Sequence, residues 1–397
     1  MSNFFLSFRK HFSFVIIAFG SLCFFLVNFL LKDYLSQDNY GTYSIFITYI
    51  SLLSSFGMLG FEQTLIRTSK IKQKLEIEKS VILPSVISVF FVSIVGSYLI
   101  INNYEIGLDY YYLLTLSTLV ILTKLVFNLS RMMSKFIFSQ LSLNFWKIGL
   151  FLITLYLVFF EIKIKILDLF QYVLILFFVS GILIFPLFKQ IVVVHEKKII
   201  ALIKQSLLFF LTLFTISLIS FGDRFFIENR FGLSEMGNYF FYINIFLFPF
   251  MLFQNYIGFK EIIVFKKDFS QKMLNDKIVL AQKYSLCFSI VLIISLCLIE
   301  YLNIYDLQIL LNLDIIIPLI ILGNIKVIYS LLSSAVGAVA NDKMLIDINI
   351  KSIFSIFLIM PCIYYFAFNI SITIFFIITL WLIRSLIWYK QLLKYEN

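Results

Sequence analysis

The strongest constraint on this chain is a series of twelve apolar runs, each close to the length that a helix needs to cross a bilayer. A membrane-spanning helix requires roughly 20 predominantly apolar residues. Hydrophobic residues make up 61% of the 397 positions and charged residues only 14%, whereas soluble domains are about 25% charged. The sequence therefore predicts an all-α integral membrane protein with about twelve transmembrane helices. The runs cover residues 12–31, 41–61, 80–101, 110–130, 144–160, 169–188, 206–226, 237–258, 283–301, 309–332, 346–366 and 370–390.

Several function classes are disfavoured by what lies between and within these runs. The net charge of +10 comes from residues in short loops and not from a basic domain, which argues against nucleic-acid binding. All four cysteines lie inside apolar runs without the spacing of a metal or redox site. The chain has no nucleophile elbow, no Gly-rich phosphate loop and no catalytic carboxylate pair. We therefore expect no enzymatic activity, no cofactor and no metal, and loops of about 24 residues at most predict no extramembrane domain.

The distribution of lysine and arginine predicts the orientation of the chain. With the N-terminus inside, the cytoplasmic segments carry 21 of these residues and the outer loops carry four: Lys32, Lys163, Lys165 and Arg230. Cytoplasmic loops of membrane proteins carry such an excess of positive charge. This bias predicts an even number of spans, with both termini in the cytoplasm.

A motif at the start of the second run recurs near mid-chain. Asp38, Gly41 and Tyr43 are repeated at a constant offset of 196 as Ser234, Gly237 and Tyr239. Asp38 and Ser234 are good helix N-cap residues. A repeat after six spans predicts two lobes, residues 1–195 (spans 1–6) and 196–397 (spans 7–12). The lobes would be related by a pseudo-two-fold axis along the membrane normal, with a cavity between them, as in alternating-access transporters.

Two segments of the first half resemble a known family. They are Leu35-Ser-Gln-Asp-Asn-Tyr-Gly-Thr-Tyr-Ser44 and Phe56-Gly-Met-Leu-Gly-Phe-Glu-Gln-Thr-Leu-Ile-Arg67. Together they resemble the N-terminal signature of O-antigen flippases, the Wzx-type polysaccharide transporters of the MOP superfamily. In the second half Gly222, Asp223, Arg224, Gly232, Ser234, Glu235, Gly237 and Tyr239 resemble the matching signature at the seventh span.

The resemblance implies that the chain moves an undecaprenyl-diphosphate-linked oligosaccharide across the bacterial cytoplasmic membrane, for O-antigen or other surface polysaccharide assembly. Membrane lipids would surround it, and contacts with a polysaccharide polymerase and a chain-length regulator are left open. Three alternatives remain. A multidrug or toxic-compound exporter shares the architecture of the superfamily. An O-antigen polymerase would carry a sizeable periplasmic loop, which this sequence lacks. A membrane scaffold without transport activity is the third.

Ionisable residues inside the spans are the functional candidates, because they are costly in hydrocarbon. For the anionic headgroup the candidate ligands are Lys124, Lys147, Lys326 and Arg224. Residues spaced by three, four or seven positions share a helical face, which predicts a cavity lining that includes Ser117, Asn128, Arg131 and Asn144. Asn28 is added because it lies 196 positions before Arg224, at the equivalent point of the repeat. Small polar residues at helix–helix contacts are the alternative interpretation. Candidates for proton or ion coupling are Asp223, Asp314 and Asp347.

Three of these expectations concern position within a span. Asp347 and Lys351 are four residues apart, which predicts a local ion pair. Arg384 is expected to extend its side chain towards the cytoplasmic interface. Five cations, among them Lys124 and Lys326, are expected within about two turns of the cytoplasmic ends, where a diphosphate arriving from the inner leaflet would meet them.

Overall fold

A computed structural model describes residues 2–71, 74–104, 106–182, 189, 191–194, 199–302 and 312–396. Over these residues the chain is almost entirely helical. The helices are α1 (Ser2–Tyr34), α2 (Gln37–Phe56), α3 (Phe61–Thr68), α4 (Lys79–Asn103), α5 (Tyr110–Met132), α6 (Phe136–Phe159), α7 (Ile166–Ile182), α8 (Ile199–Phe231), α9 (Leu233–Lys267), α10 (Gln271–Tyr301), α11 (Leu313–Val339), α12 (Asp342–Phe366) and α13 (Ile370–Glu396).

Every predicted apolar run overlaps a helix, although residues 183–188 and 309–311 of two runs lie outside the described residues. Within the described chain, ten helices are long and apolar enough to cross a membrane. The two exceptions among the predicted spans are α7, which has 17 residues, and α2, which carries a row of polar side chains. The chain is thus an all-α multi-pass membrane protein with ten helices in its described part that meet both criteria, and the arrangement of twelve spans stays a prediction.

A three-stranded sheet was not predicted. It consists of β1 (Lys70–Ile71), β2 (Leu75–Glu78) and β3 (Ile191–Val194), in the order β1-β2-β3. The β1–β2 pair is antiparallel, whereas β2 and β3 are parallel, with Leu75 opposite Ile191. The loop after the second predicted span therefore pairs with a loop more than 100 residues later, and it buries Leu75 and Ile77.

The chain divides into two compact units, an N-terminal unit (Met1–Ser217) and a C-terminal unit (Leu218–Asn397). The division falls inside α8, beyond the boundary expected at residue 195. In the N-terminal unit α5 packs against α4, α6 and α7, and α1 packs along α6. In the C-terminal unit α11 packs against α9, α10 and α13.

Local features of the two units follow the sequence repeat. The helices α1 and α8 both have 33 residues, and the helices after them begin at Gln37 and Leu233, 196 positions apart. The expected N-caps are displaced by two residues, because Ser36 and Gly232 occupy those positions. Asp38 instead lies in the first turn of α2, where its carboxylate stabilises the positive end of the helix dipole.

The segment Phe56–Phe61 makes a sharp turn between α2 and α3. Leu59 and Gly60 have positive φ angles of 47° and 79°. A Cβ atom at Gly60 would lie 2.3 Å from the backbone oxygen of Ser206 on α8, and the Ser206 hydroxyl donates a hydrogen bond to the Leu59 carbonyl at 2.8 Å. The glycine in this motif therefore permits direct backbone packing of the turn against the first half of α8.

Candidate functional site

Two lysines of the N-terminal unit lie partly buried on the packed helices α5 and α6. The Lys124 ammonium is 5.0 Å from the centroid of the Phe127 ring. The Lys147 ammonium lies 5.8 Å from the Phe24 ring and donates a 3.4 Å hydrogen bond to Asn144 Oδ1. Aromatic faces attract cations, but neither lysine forms an ion pair within the described part of the chain. The two ammonium groups also repel each other, while the carboxylate of Glu62 attracts Lys124 without forming an ion pair with it.

A carboxylate near these lysines was missed by sequence reasoning. Glu62 lies in the first turn of α3, outside the long apolar helices, and is 5% exposed. Its Oε2 atom has no hydrogen-bond partner among the described residues. Burial raises the pKa of the Glu62 carboxyl above its ordinary range, while attraction to Lys124 acts in the opposite direction. Its place directly after the second apolar run, inside the family-like motif, was the only available signal.

The predicted polar face of α5 is largely buried. Ser117 is fully buried and Asn128 is 3% exposed, whereas Arg131 is exposed at the end of the helix. The Ser117 hydroxyl is 2.6 Å from the Tyr49 hydroxyl and 3.2 Å from that of Ser97. Ser117 thus joins α5 to α2 and α4 by hydrogen bonds, as expected of a helix–helix contact.

Asn28 and Asn144 also lie at contacts between helices. Asn28 is fully buried, and its Oδ1 atom accepts a hydrogen bond from the Tyr43 hydroxyl at 3.0 Å. Asn144 is 3% exposed and packs against Gly20, where an added Cβ atom would lie 2.6 Å from the Cβ of Asn144. Both side chains help to fasten α1 to its neighbours, and the Asn144 Oδ1 atom also accepts the contact from Lys147.

In the C-terminal unit a mixed charge cluster lies on α8, α9 and α11. Asp223 Oδ2 accepts a 2.5 Å hydrogen bond from the Tyr239 hydroxyl, while its buried Oδ1 atom has no hydrogen-bond partner among the described residues. Lys326 is attracted to Asp223 and lies 5.0 Å from the Trp381 ring. Arg224 is 9% exposed and contacts the rings of Phe221 and Phe240, each at 5.2 Å. Three sequence-predicted residues, Asp223, Arg224 and Lys326, therefore lie close together.

The Tyr239 contact has a counterpart in the other unit. Tyr43 and Tyr239 are 196 positions apart, and each donates its hydroxyl to a polar side chain of the preceding helix, to Asn28 and to Asp223. The repeated tyrosine thus has the same structural role in both units.

The other two candidates for ion coupling, Asp314 and Asp347, have partners that belong to neither cluster. Asp347 forms the expected i,i+4 ion pair with Lys351, at 2.5 Å, and also accepts a hydrogen bond from Gln391. Asp314 is exposed in the first turn of α11 and accepts a 2.6 Å hydrogen bond from Ser371. Both carboxylates have local partners that account for their positions.

The expectation for Arg384 is wrong. Arg384 is fully buried and does not extend towards the interface, because its Nε atom donates a 2.9 Å hydrogen bond to the Tyr329 hydroxyl and its guanidinium faces Trp388. The expected depth of the cations in the bilayer stays a prediction, because helices such as α11 continue beyond the predicted end of the span and their ends do not mark the membrane.

In comparisons with known proteins, no family model, no curated protein and no solved structure matches the chain.

The two clusters differ in the chemistry that they offer. The N-terminal unit presents two lysines without an ion pair, which suit an anion able to accept several charge-assisted hydrogen bonds. The C-terminal unit combines Arg224 and Lys326 with Asp223, whose buried Oδ1 atom has no hydrogen-bond partner among the described residues. Within the described residues no group of three or more His, Cys, Asp or Glu side chains is placed to hold a metal.

Proposed function

We propose that the protein is a flippase for lipid-linked oligosaccharides, in which Lys124 and Lys147 bind the diphosphate of the substrate. The observation that carries this proposal is the pair of partly buried ammonium groups on apolar helices, without an ion pair among the described residues. A charged side chain within the bilayer is costly and marks a functional site by default. A bound diphosphate would add negative charge beyond that of Glu62, the one carboxylate that attracts Lys124 among the described residues, and the motif resemblance points to the same substrate class.

The proposed mechanism requires no covalent chemistry. Lys124 and Lys147 would hold the diphosphate, a polar cavity would separate the sugars from lipid, and the polyprenyl tail would remain in the bilayer. Alternating access by two six-helix lobes would then carry the headgroup from the cytoplasmic to the periplasmic leaflet. The division of the chain into two compact units and the repeated tyrosine contact support an origin of the lobes from one repeat. In the C-terminal unit Arg224 and Lys326 would provide further cations, with Asp223 as the candidate for ion coupling.

The proposal places the protein in a bacterial cytoplasmic membrane with both termini inside, where a polysaccharide polymerase and a chain-length regulator would be its partners. The principal alternative is a multidrug exporter. A site for cationic drugs would require carboxylates facing the substrate, whereas the N-terminal cluster has two lysines and one buried acid. Substitution of Lys124 therefore distinguishes a flippase from a multidrug exporter.

The test is complementation of a flippase-deficient strain that carries the matching polysaccharide pathway. Lys124→Gln should abolish surface polysaccharide at normal membrane levels of protein, while Lys124→Arg should retain most of it because the charge remains. Lys351→Gln is the matched control, because Lys351 is also a lysine on an apolar helix but is exposed and paired with Asp347. Full complementation by Lys124→Gln would refute the role of this charge.

A further inference from the structure

The turn between α9 and α10 contains an open recess of about 310 Å³ that the proposed transport function does not use. Its lining residues are Ser270, Lys272, Met273, Asp276, Lys277 and Leu280. Ser270 caps α10 by accepting a hydrogen bond from the Met273 amide at 3.2 Å. The recess therefore lies at the first two turns of a 31-residue helix.

Three charged residues line this recess, and only one of them forms an ion pair with a described residue. Lys277 is paired with Glu261 and lies 5.7 Å from the Phe265 ring, so its charge is compensated within the protein. Lys272 and Asp276 are both exposed, and neither forms an ion pair with a described residue. They are four positions apart on the helix, which places their Cβ atoms roughly 5–6 Å apart on one face.

The recess continues into the most exposed of the ten candidate spans in the described chain. Only 11% of the most apolar stretch of α10 is buried, the lowest fraction among the ten candidate spans in the described chain. Leu280 lines the recess and is 51% exposed, and beyond it Tyr284 and Ile290 are 61% and 59% exposed. An apolar chain lying along α10 would therefore end at Lys272 and Asp276.

We propose that this recess binds the headgroup of a zwitterionic membrane lipid, phosphatidylethanolamine, with its acyl chains along α10. The phosphate would contact the Lys272 ammonium and the lipid ammonium would contact the Asp276 carboxylate. The first-turn position of Lys272 adds the positive end of the α10 dipole to the phosphate contact. An anionic lipid such as phosphatidylglycerol would satisfy Lys272 but would offer Asp276 a neutral glycerol in place of an ammonium group, so the second charge-assisted contact would be lost.

The experiment measures lipid retention by the purified full chain, using native mass spectrometry after equilibration with phosphatidylethanolamine, phosphatidylglycerol and phosphatidylcholine in one detergent. We expect phosphatidylethanolamine to be retained about tenfold more than phosphatidylglycerol, since one charge-assisted hydrogen bond corresponds to a factor of about ten or more. Lys272→Gln and Asp276→Asn should each reduce that retention by a similar factor. Lys283→Gln, at an exposed position on the same helix outside the recess, should leave it unchanged.

Three results would overturn the proposal. One is equal retention of phosphatidylethanolamine and phosphatidylglycerol by the wild-type chain. Another is wild-type retention in both Lys272→Gln and Asp276→Asn. Displacement by glycerophosphoethanolamine, which has the headgroup without acyl chains, would also exclude a lipid site that depends on α10. The measurement involves no transport, so its outcome is independent of the proposed flippase activity.

Discussion

Replacing Gly60 by alanine should destabilise the N-terminal unit, because the new methyl group would collide with the backbone of α8. The Cβ atom would lie 2.3 Å from the Ser206 carbonyl oxygen and 2.6 Å from the Phe210 amide nitrogen. Both atoms belong to the backbone of a continuous helix, so neither can rotate away. The turn between α2 and α3 would have to separate from α8, with loss of the hydrogen bond between Ser206 and the Leu59 carbonyl.

The expected loss of unfolding free energy in Gly60→Ala has two parts, backbone strain and overpacking. Holding alanine at the Gly60 φ of 79° costs about 1–2 kcal/mol, because a left-handed residue brings its Cβ close to the following carbonyl. Overpacking against fixed backbone adds about 1–3 kcal/mol. We therefore expect a loss of about 2–5 kcal/mol in the free energy of unfolding, which is large for a single substitution.

Gly107 provides a control for the strain alone. Its φ is 73°, and an added Cβ atom would have its nearest neighbour, Leu167 Cδ2, at an ordinary 3.6 Å. Gly107→Ala should therefore lose only the contribution of backbone strain, about 1–2 kcal/mol of unfolding free energy. The assay is thermal or denaturant unfolding of both variants and the wild type in the same detergent, with midpoints compared at one heating rate. Equal destabilisation by Gly60→Ala and Gly107→Ala would refute the close packing of the turn on α8.

Three further predictions concern charge, hydrogen bonding and topology. Glu62→Gln should stabilise the protein at neutral pH, because burial raises the pKa of the Glu62 carboxyl in the folded state. The wild type therefore loses folding stability as the pH rises from the ordinary glutamate pKa, about 4.3, through the raised pKa. The difference in unfolding free energy between variant and wild type should increase with pH across this range. A difference that is constant or that decreases would contradict the burial effect. Tyr239→Phe should cost about 1.5–3 kcal/mol of unfolding free energy, because the buried Asp223 loses a charged hydrogen bond; an unchanged unfolding midpoint would contradict this. Reporter fusions after residue 270 should report cytoplasm and those near residue 105 the outside, and a periplasmic signal from 270 would overturn the orientation.

The positions of the long helices could be predicted because the bilayer imposes a length on every apolar run. Their ends could not, since hydropathy marks only the membrane-embedded part of a helix. For α9 the apolar run covers 237–258, but the helix continues to Lys267 through charged residues that are also good helix formers. The helix α2 is not among the ten apolar spans of the described chain, because its polar residues lower its hydropathy below that of a typical span.

The sheet and Glu62 depend on contacts that no local pattern records. The strands β2 and β3 have four residues each, and their pairing joins positions more than 100 residues apart. Glu62 is buried because α3 packs against α4, α5 and β2. Arg384 illustrates the same limit, since its place in the sequence suits an interfacial side chain equally well, and the Tyr329 hydroxyl on α11 decides the outcome.

The cation candidates were found from the sequence because charge inside an apolar run is conspicuous. Lys124 and Lys147 carry the proposed site, and Asp223, Arg224 and Lys326 form a cluster within one unit. For the polar residues sequence reasoning was less decisive. Ser117, Asn28 and Asn144 all make contacts between helices, and a periodic polar face is compatible with a cavity wall and with a packed interface alike.

The most direct test of the central claim is translocation by the purified protein in vesicles, using a fluorescent polyprenyl-diphosphate-linked oligosaccharide whose outer-leaflet fraction is quenched by an added reductant. Wild type and Lys351→Gln should move the lipid between leaflets. Lys124→Gln should slow it about tenfold or more, the equivalent of one lost charge-assisted contact. A wild-type protein that leaves this lipid in place but moves a cationic dye would contradict the account and establish the exporter instead.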